Sequence, residues 1–277
     1  MMKIAPDELQ LLAGFVHDRS GIVLDSSKAY LLESRLAPLV REKNIASYRD
    51  LYTHALRDAE LANRIIDAIS TNETSFFRDQ RPFELLKFKI LPDIIDALSS
   101  RPGPAGKSLN IWSAACSTGQ EVYTIAVTLH ELLGSAISQY RIKIIGTDIA
   151  DSAIVQSSRG VYSQFEIGRG FPQNLLRKYF VADGTNWRVR DELRAMTFFR
   201  KINLLEPFGS LGKFDIVFCR NVAIYFSQPN RKSLFERIAA QLNPHGALII
   251  GSTESLFGVT DRYLRREYHN SVFYSLK

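Results

Sequence analysis

The residues best suited to chemistry sit where one hydrophobic pattern gives way to another. Ala114-Ala115-Cys116-Ser117-Thr118-Gly119 contains only small side chains. Before it, Leu109, Ile111 and Trp112 are apolar and strand-favouring; after it, Val122, Ile125, Ala126 and Leu129 fall at helical spacing. A strand, a turn free of bulky groups and a helix N-terminus is the arrangement by which α/β folds bring backbone N–H groups to a cofactor. Glu121 stands just inside that helix, where a carboxylate is tolerated by the dipole and can accept hydrogen bonds from a ligand. Asp148 ends the next strand pattern, Arg141–Thr147, and an acid there accepts from a ribose hydroxyl pair in nucleotide-binding α/β folds. Each feature also has a plainer use. One glycine is not the G-x-G-x-x-G fingerprint, small turns serve ordinary strand–helix packing, and the acid suits a helix N-cap equally well.

A second stretch breaks the surrounding helical pattern. Thr71–Asp79, TNETSFFRD, crowds Asn, Thr and Ser beside two phenylalanines and an arginine. Such polar residues bond to nearby backbone and mark turns, and loops of this kind commonly supply ligand contacts. No Ser-His-Asp or Cys-His set is legible. Cys116 and Cys219 are far apart, lack metal-ligand spacing and read as small packing residues in a reducing compartment.

The elements that must position these groups follow from periodicity. Residues 1–70 read as a small helical bundle: a helix opened by Pro6-Asp7-Glu8 and broken at Gly21, a second through Leu31–Leu39 with a kink expected at Pro38, then Tyr48–Leu56 and Glu60–Ile69. Phe83–Leu98 resumes as a helix interrupted at Pro92, and Arg101–Gly106 forms a loop. The chain then alternates. FDIVFC at 214–219 and GALIIG at 246–251 are continuous apolar runs, as expected of buried parallel strands, and Asn270–Leu276 closes the sheet. Trp187–Val189 and Thr197–Arg200 read as short strands of an antiparallel insertion after a helix at Leu175–Phe180.

The 277 residues are 45% hydrophobic and 23% charged, a globular composition without an apolar run long enough to span a membrane and without a secretory signal. The net charge of +6 is concentrated late, with Arg159, Arg169, Arg177, Lys178, Arg188, Arg190, Arg194, Arg200 and Lys201 in one region. This suits an acidic partner or a solvated face; no nucleic-acid motif accompanies it. Lys28, Arg35, Arg41 and Lys43 form either a docking face or a solvated side laced with Glu33 and Glu42.

With these pieces in order the chain resembles the CheR family of chemotaxis-receptor glutamate methyltransferases. The resemblance rests on TNETSFFRD at 71–79, WSAACSTGQE at 112–121, the acid of GTDIAD at 148, NLL at 203–205, FDIVFCRNVAIYF at 214–226 and LIIGSTESL at 248–256. It implies an N-terminal helical domain over residues 1–80 and a class I S-adenosylmethionine (SAM) methyltransferase domain, Rossmann-like α/β, over 81–277, with a small antiparallel β-subdomain at about 181–202.

The same resemblance implies that Asn72, Thr74 and Arg78 contact SAM, that Glu121 lies by its methionine or sugar portion and that Asp148 holds the ribose. Asn203-Leu204 and Arg220-Asn221 would flank the adenine and the transferring methyl group, with Tyr225 facing the active site. The products are S-adenosylhomocysteine (SAH) and a glutamate methyl ester on the cytoplasmic helices of chemoreceptors. No metal is implied, and a cytoplasmic monomer working at membrane receptor arrays is expected. A glutamate with a pKa of about 4.3 is already a carboxylate at neutral pH, so no general base is required. Catalysis then rests on alignment and desolvation, with Arg78 first and Tyr225 second as groups that orient the nucleophile. Val181–Arg188 is short compared with members that dock on a receptor's C-terminal peptide, which points to methylation without that tether. The competing readings are a non-catalytic SAM-binding scaffold and transfer to another carboxylate or to nucleic acid.

Overall fold

The computed structural model describes residues 3–99 and 107–277; the loop read at 101–106 lies outside the described residues. The N-terminal helices are α1 (Pro6–Ser20), α2 (Ala29–Glu42), α3 (Tyr48–Ala55) and α4 (Ala59–Ile69). Local chemistry fixes their ends. Pro6 occupies the first turn of α1, and Glu8 accepts the Ala5 N–H at 2.9 Å. Gly21 ends α1 at φ 77°, where a side chain would be strained and would also meet Leu205 and Phe226. Ser47 caps α3 and Asp58 caps α4 through the Glu60 and Leu61 N–H groups. Leu12, Val16, Leu32, Leu36, Tyr48, Leu51 and Ile65 are fully buried between these helices.

Arg35 is engaged within the helical domain. Its guanidinium donates to the carbonyls of Ile69 at 2.6 Å and Ser70 at 2.9 Å, closing the C-terminal end of α4 where the next loop begins. Pro38 sits inside α2 without ending it.

After Thr71–Asp79 come α5 (Arg81–Leu85), a π-helical turn at Leu86–Ile90 and α6 (Leu91–Ser99). The expected interruption is thus a π-turn immediately before Pro92, whose missing N–H the wider turn accommodates. The α/β unit follows with β1 (Ser108–Ala114), α7 (Gln120–Leu133), β2 (Arg141–Asp148), α8 (Asp151–Arg159), β3 (Val161–Ser163), α9 (Gln164–Gly168), α10 (Gln173–Tyr179), β4 (Phe180–Asp183), β5 (Asn186–Val189), α11 (Asp191–Arg194), β6 (Thr197–Lys201), β7 (Phe214–Cys219), α12 (Gln228–Gln241), β8 (Leu242–Ile250), β9 (Tyr263–Tyr268) and β10 (Ser271–Leu276).

The main sheet has the order β6-β2-β1-β7-β8-β10-β9, with β10 antiparallel to both neighbours and the pairs from β6 to β8 parallel. Alternation along β1 builds two layers: Leu109 and Ile111 pack toward α6 and α7, whereas Trp112 and Ala114 pack toward α12. Both faces are covered, which is why β1, β7 and β8 read as apolar runs.

Two strand assignments differ from the sequence reading. Thr197–Lys201 is not in the small sheet; it pairs in parallel with Ile144–Asp148 and forms an edge of the main sheet. The small sheet is β3-β5-β4, within residues 161–189 rather than 181–202, and Val161–Ser163 supplies a strand the pattern did not suggest. Strands of three to five residues hold too few alternations to reveal which sheet they join.

The two domains meet through backbone. Ile22 forms an antiparallel bridge with Phe226, and Val23 N–H donates to the Tyr225 carbonyl at 2.9 Å. No described helix is long and apolar enough to cross a membrane.

Candidate active site

The C-terminal ends of β1, β2 and β7, the loop 71–79 and the α1–α2 connection line an open cavity. All ten residues singled out from the sequence line it: Asn72, Thr74, Arg78, Glu121, Asp148, Asn203, Leu204, Arg220, Asn221 and Tyr225. Open α/β sheets gather ligands at this edge because neighbouring crossovers leave on opposite faces and open a crevice.

The turn after β1 is held in a demanding conformation. Ala115 and Ser117 have φ of 59° and 51°, and Gly119 has φ of 95°. A Cβ on Gly119 would stand 2.7 Å from Ser157 Cβ and 2.9 Å from the Tyr162 hydroxyl. Tyr162, on β3, donates to the Thr118 carbonyl at 2.8 Å, so the small sheet buttresses the turn. The loop 71–79 is anchored from the same side. Phe76 packs edge-on against Tyr162, Phe171 and Phe180 at 5.0, 5.3 and 5.7 Å. Gly170 passes so close that a Cβ there would overlap the Phe76 carbonyl, at 2.2 Å.

Asp148 is buried and ties the turn to β2. One of its oxygens accepts the Ser117 N–H at 2.8 Å and the other the Ala150 N–H at 3.0 Å. Burial raises its carboxyl above the ordinary 3.8, against the pull of those N–H bonds. Each oxygen keeps a lone pair, so the site can still accept two hydroxyl protons. Asp148 thus braces the start of α8 through the N–H of Ala150, which is itself the N-cap residue, and faces the cavity.

Glu121 and Arg220 form the charged floor. Glu121 accepts the Ser113 hydroxyl at 2.8 Å with one oxygen and the Arg220 guanidinium at 2.7 Å with the other. The Arg220 side chain is 2% exposed and also donates to Asp79 at 2.8 Å and to the Arg78 carbonyl at 3.0 Å, above the Phe83 ring. Arg220 is thus a strut joining β7, α7 and the loop 71–79. Asn203 is similarly engaged: its amide donates to the Arg19 carbonyl at 2.7 Å and its oxygen accepts the Leu205 N–H at 3.0 Å. It fastens α1 to the sheet edge and meets the cavity with little side-chain capacity to spare.

Arg78 and Tyr225 differ. Arg78 donates once, to the Glu73 carbonyl at 2.9 Å, and its other N–H groups have no partner among the described residues. The Tyr225 hydroxyl likewise has none, and the residue is 37% exposed at the rim. Burial pushes the Cys116 and Cys219 thiols well up, with Asp148 and Glu121 adding to the effect at Cys116, which suits packing residues and not nucleophiles. Among the described residues no group of three or more His, Cys, Asp or Glu is arranged to hold a metal ion.

Some lining residues had no sequence signal. Ser20 and Ile22 reach the cavity only because the helical domain docks on the sheet edge. Ser113 and Asp79 lay inside recognised motifs, but their bonds to Glu121 and Arg220 depend on the turn geometry.

The donor set fits SAM. The buried carboxylate with spare lone pairs, the small-residue turn and the half-open apolar wall of Ile22, Ile149, Ile202 and Leu204 match a ribose, an amino-acid tail and an adenine. The comparisons agree. Residues 7–70 match the family described as CheR methyltransferase, all-alpha domain, and residues 72–271 match CheR methyltransferase, SAM binding domain. A chemotaxis protein methyltransferase of Pseudomonas putida is 39% identical over 268 residues, 95% of each chain. Chemotaxis protein methyltransferase 1 of Pseudomonas aeruginosa is 37% identical over 280 residues, 100% of each chain. Chemotaxis protein methyltransferase 1 of Vibrio cholerae is 38% identical over 283 residues, 99% of this chain and 98% of that one. The chain belongs to the CheR methyltransferase family and is a SAM-dependent methyltransferase.

Proposed function

We propose that the chain methylates glutamate side-chain carboxylates on the cytoplasmic helices of chemoreceptors, giving methyl esters. The observation that carries this reading is the pair of uncommitted donors, Arg78 and Tyr225, in a cavity whose other charged groups are engaged with the protein. A carboxylate acceptor needs donors to hold it and no base to activate it.

Bound SAM supplies a methyl group made electrophilic by its sulfonium sulfur. Asp148 accepts from the ribose hydroxyls, and Asn72, Thr74, Asn203, Leu204 and Asn221 complete the cofactor wall. Glu121 lies by the methionine or sugar portion and holds Arg220, which in turn fixes the Arg78 backbone. Arg78 and Tyr225 orient the acceptor carboxylate, and its partial desolvation between Ile22, Val222 and Phe226 raises its nucleophilicity. Each ester removes one negative charge from the receptor helix, which changes packing within its bundle.

The finer reading is a cytoplasmic monomer that works at receptor arrays without a C-terminal peptide tether. The absence of the tether is supported by the brevity of the β4–β5 connection, Gly184-Thr185. Micromolar binding of a receptor C-terminal peptide to the free protein overturns this part alone. The main test is transfer of labelled methyl from SAM to receptor fragments. We expect base-labile label, and Tyr225→Phe and Arg78→Ala variants that lose transfer, the first while still binding SAH. Base-stable label refutes the ester.

A further inference from the structure

Glu254 lies outside the cavity lining and outside every role assigned above. We propose that it is a positioning residue for the methyltransferase site, acting through Asn221; the proposal rests on the reading of Asn221 as a cofactor contact.

Asn221 has φ of 56°, in the left-handed region. Asparagine tolerates that region better than most residues, but something must still hold it there. Glu254 does so. One carboxylate oxygen, Oε2, accepts the Asn221 N–H at 2.8 Å and the Gly251 N–H at 2.7 Å. Asn221 is two residues beyond β7 and Gly251 one beyond β8, so a single oxygen ties together the ends of two adjacent parallel strands. Bonds from backbone N–H to an ionised acceptor are among the stronger ones.

The seat is shaped for this carboxylate. A Cβ on Gly251 would stand 2.6 Å from Glu254 Oε2 and 3.0 Å from the Asn221 side-chain amide nitrogen. The Glu254 N–H donates back to the Gly251 carbonyl at 2.9 Å, closing the turn that returns the side chain to the strand ends. The second oxygen, Oε1, is buried and has no hydrogen-bond partner. A buried carboxylate oxygen left unpaired costs free energy, and such costs persist where geometry at a site requires them.

The consequence lies on either side of Asn221. Arg220, immediately before it, makes the strut to Glu121 and Asp79. Four residues after it, Tyr225 reaches the rim, where its carbonyl takes the Val23 N–H. The carboxylate sets the direction in which this segment leaves the sheet.

The test is calorimetry of SAH with wild type, Glu254→Gln, Glu254→Met, Asn221→Ala and the Glu254→Met/Asn221→Ala double variant. Gln keeps a carbonyl acceptor, whereas Met fills similar space without one. We expect Glu254→Met to weaken SAH binding about tenfold, Glu254→Gln to restore it to within about threefold of wild type, and the double variant to bind no more weakly than Asn221→Ala. Asn221→Ala that binds as wild type overturns the reading of Asn221 and the proposal with it. Asn221→Ala that is impaired while Glu254→Met is not, or additive effects in the double variant, overturns the proposal alone. A measurement free of variants accompanies these: the Asn221 and Gly251 amides of the wild-type protein should exchange with solvent about a hundredfold more slowly than those of Ser252 and Thr253. Equal rates overturn the clamp even if a variant fails to fold.

Discussion

Replacing Arg220 by methionine isolates the largest electrostatic element of the site. The two legs of the network differ in burial: Arg220 is 2% and Glu121 12% exposed, whereas Asp79 is 37% exposed. Removing the cation leaves the Glu121 carboxylate enclosed without its partner, and breaking a buried pair from one side costs about 3–5 kcal/mol. The Asp79 leg is open to water and adds no more than about 1 kcal/mol. At roughly 2 °C per kcal/mol for a chain of this size, the melting temperature should fall by about 6–10 °C. Methionine keeps an apolar stem of similar length but loses the guanidinium that lies over the Phe83 ring, a cation–π contact worth about 0.5–2 kcal/mol that is counted within this loss. The diagnostic is the double variant Glu121→Gln/Arg220→Met. Removing both charges should bring stability back to within about 2 kcal/mol of wild type. Urea and thermal denaturation at neutral pH, followed by circular dichroism, measure both quantities. A single variant that loses less than about 1 kcal/mol, or a double variant that is less stable than the single, refutes the strut.

Three further expectations follow from the geometry. Asp148 has a folded-state pKa raised by burial, so its ionised form costs the free protein stability once pH rises through that value, and ligand hydroxyls offset the cost. SAH affinity should therefore decline with falling pH already above 3.8, and calorimetry across pH should show this transition absent from Asp148→Asn, which binds weakly throughout. Gly170→Ala forces a Cβ against the Phe76 carbonyl from a left-handed backbone, and should cost at least about 2 kcal/mol by urea denaturation while loosening the loop 71–79, read as faster amide exchange there. Arg35→Ala removes two bonds to the carbonyls that end α4 and should cost about 1–2 kcal/mol; receptor affinity reduced at unchanged stability would support the docking-face reading.

Much of this protein was legible because its signals are local. The apolar runs of β1, β7 and β8 announce strands buried on both faces, and Pro6 and Gly21 mark the ends of α1 locally. The site residues stood at strand ends and in polar breaks, and the topology delivers all ten to one cavity. Local pattern thus determined the α/β class and the helical N-terminal domain, whereas most of the ten cavity-lining residues were named through the resemblance to the CheR family.

What the tertiary structure decided is how each polar side chain spends its hydrogen bonds. Arg220 meets Glu121 across 99 positions, and Asn203 meets the Arg19 carbonyl across 184, so no local pattern records either pairing. The same holds for β6, whose five residues suit either sheet until β2 offers a parallel edge, and for Glu254, whose carboxylate finds its two N–H donors only once β7 and β8 lie side by side. Periodicity reports which face of an element is buried; the partner on that face is set by packing between segments far apart in the chain.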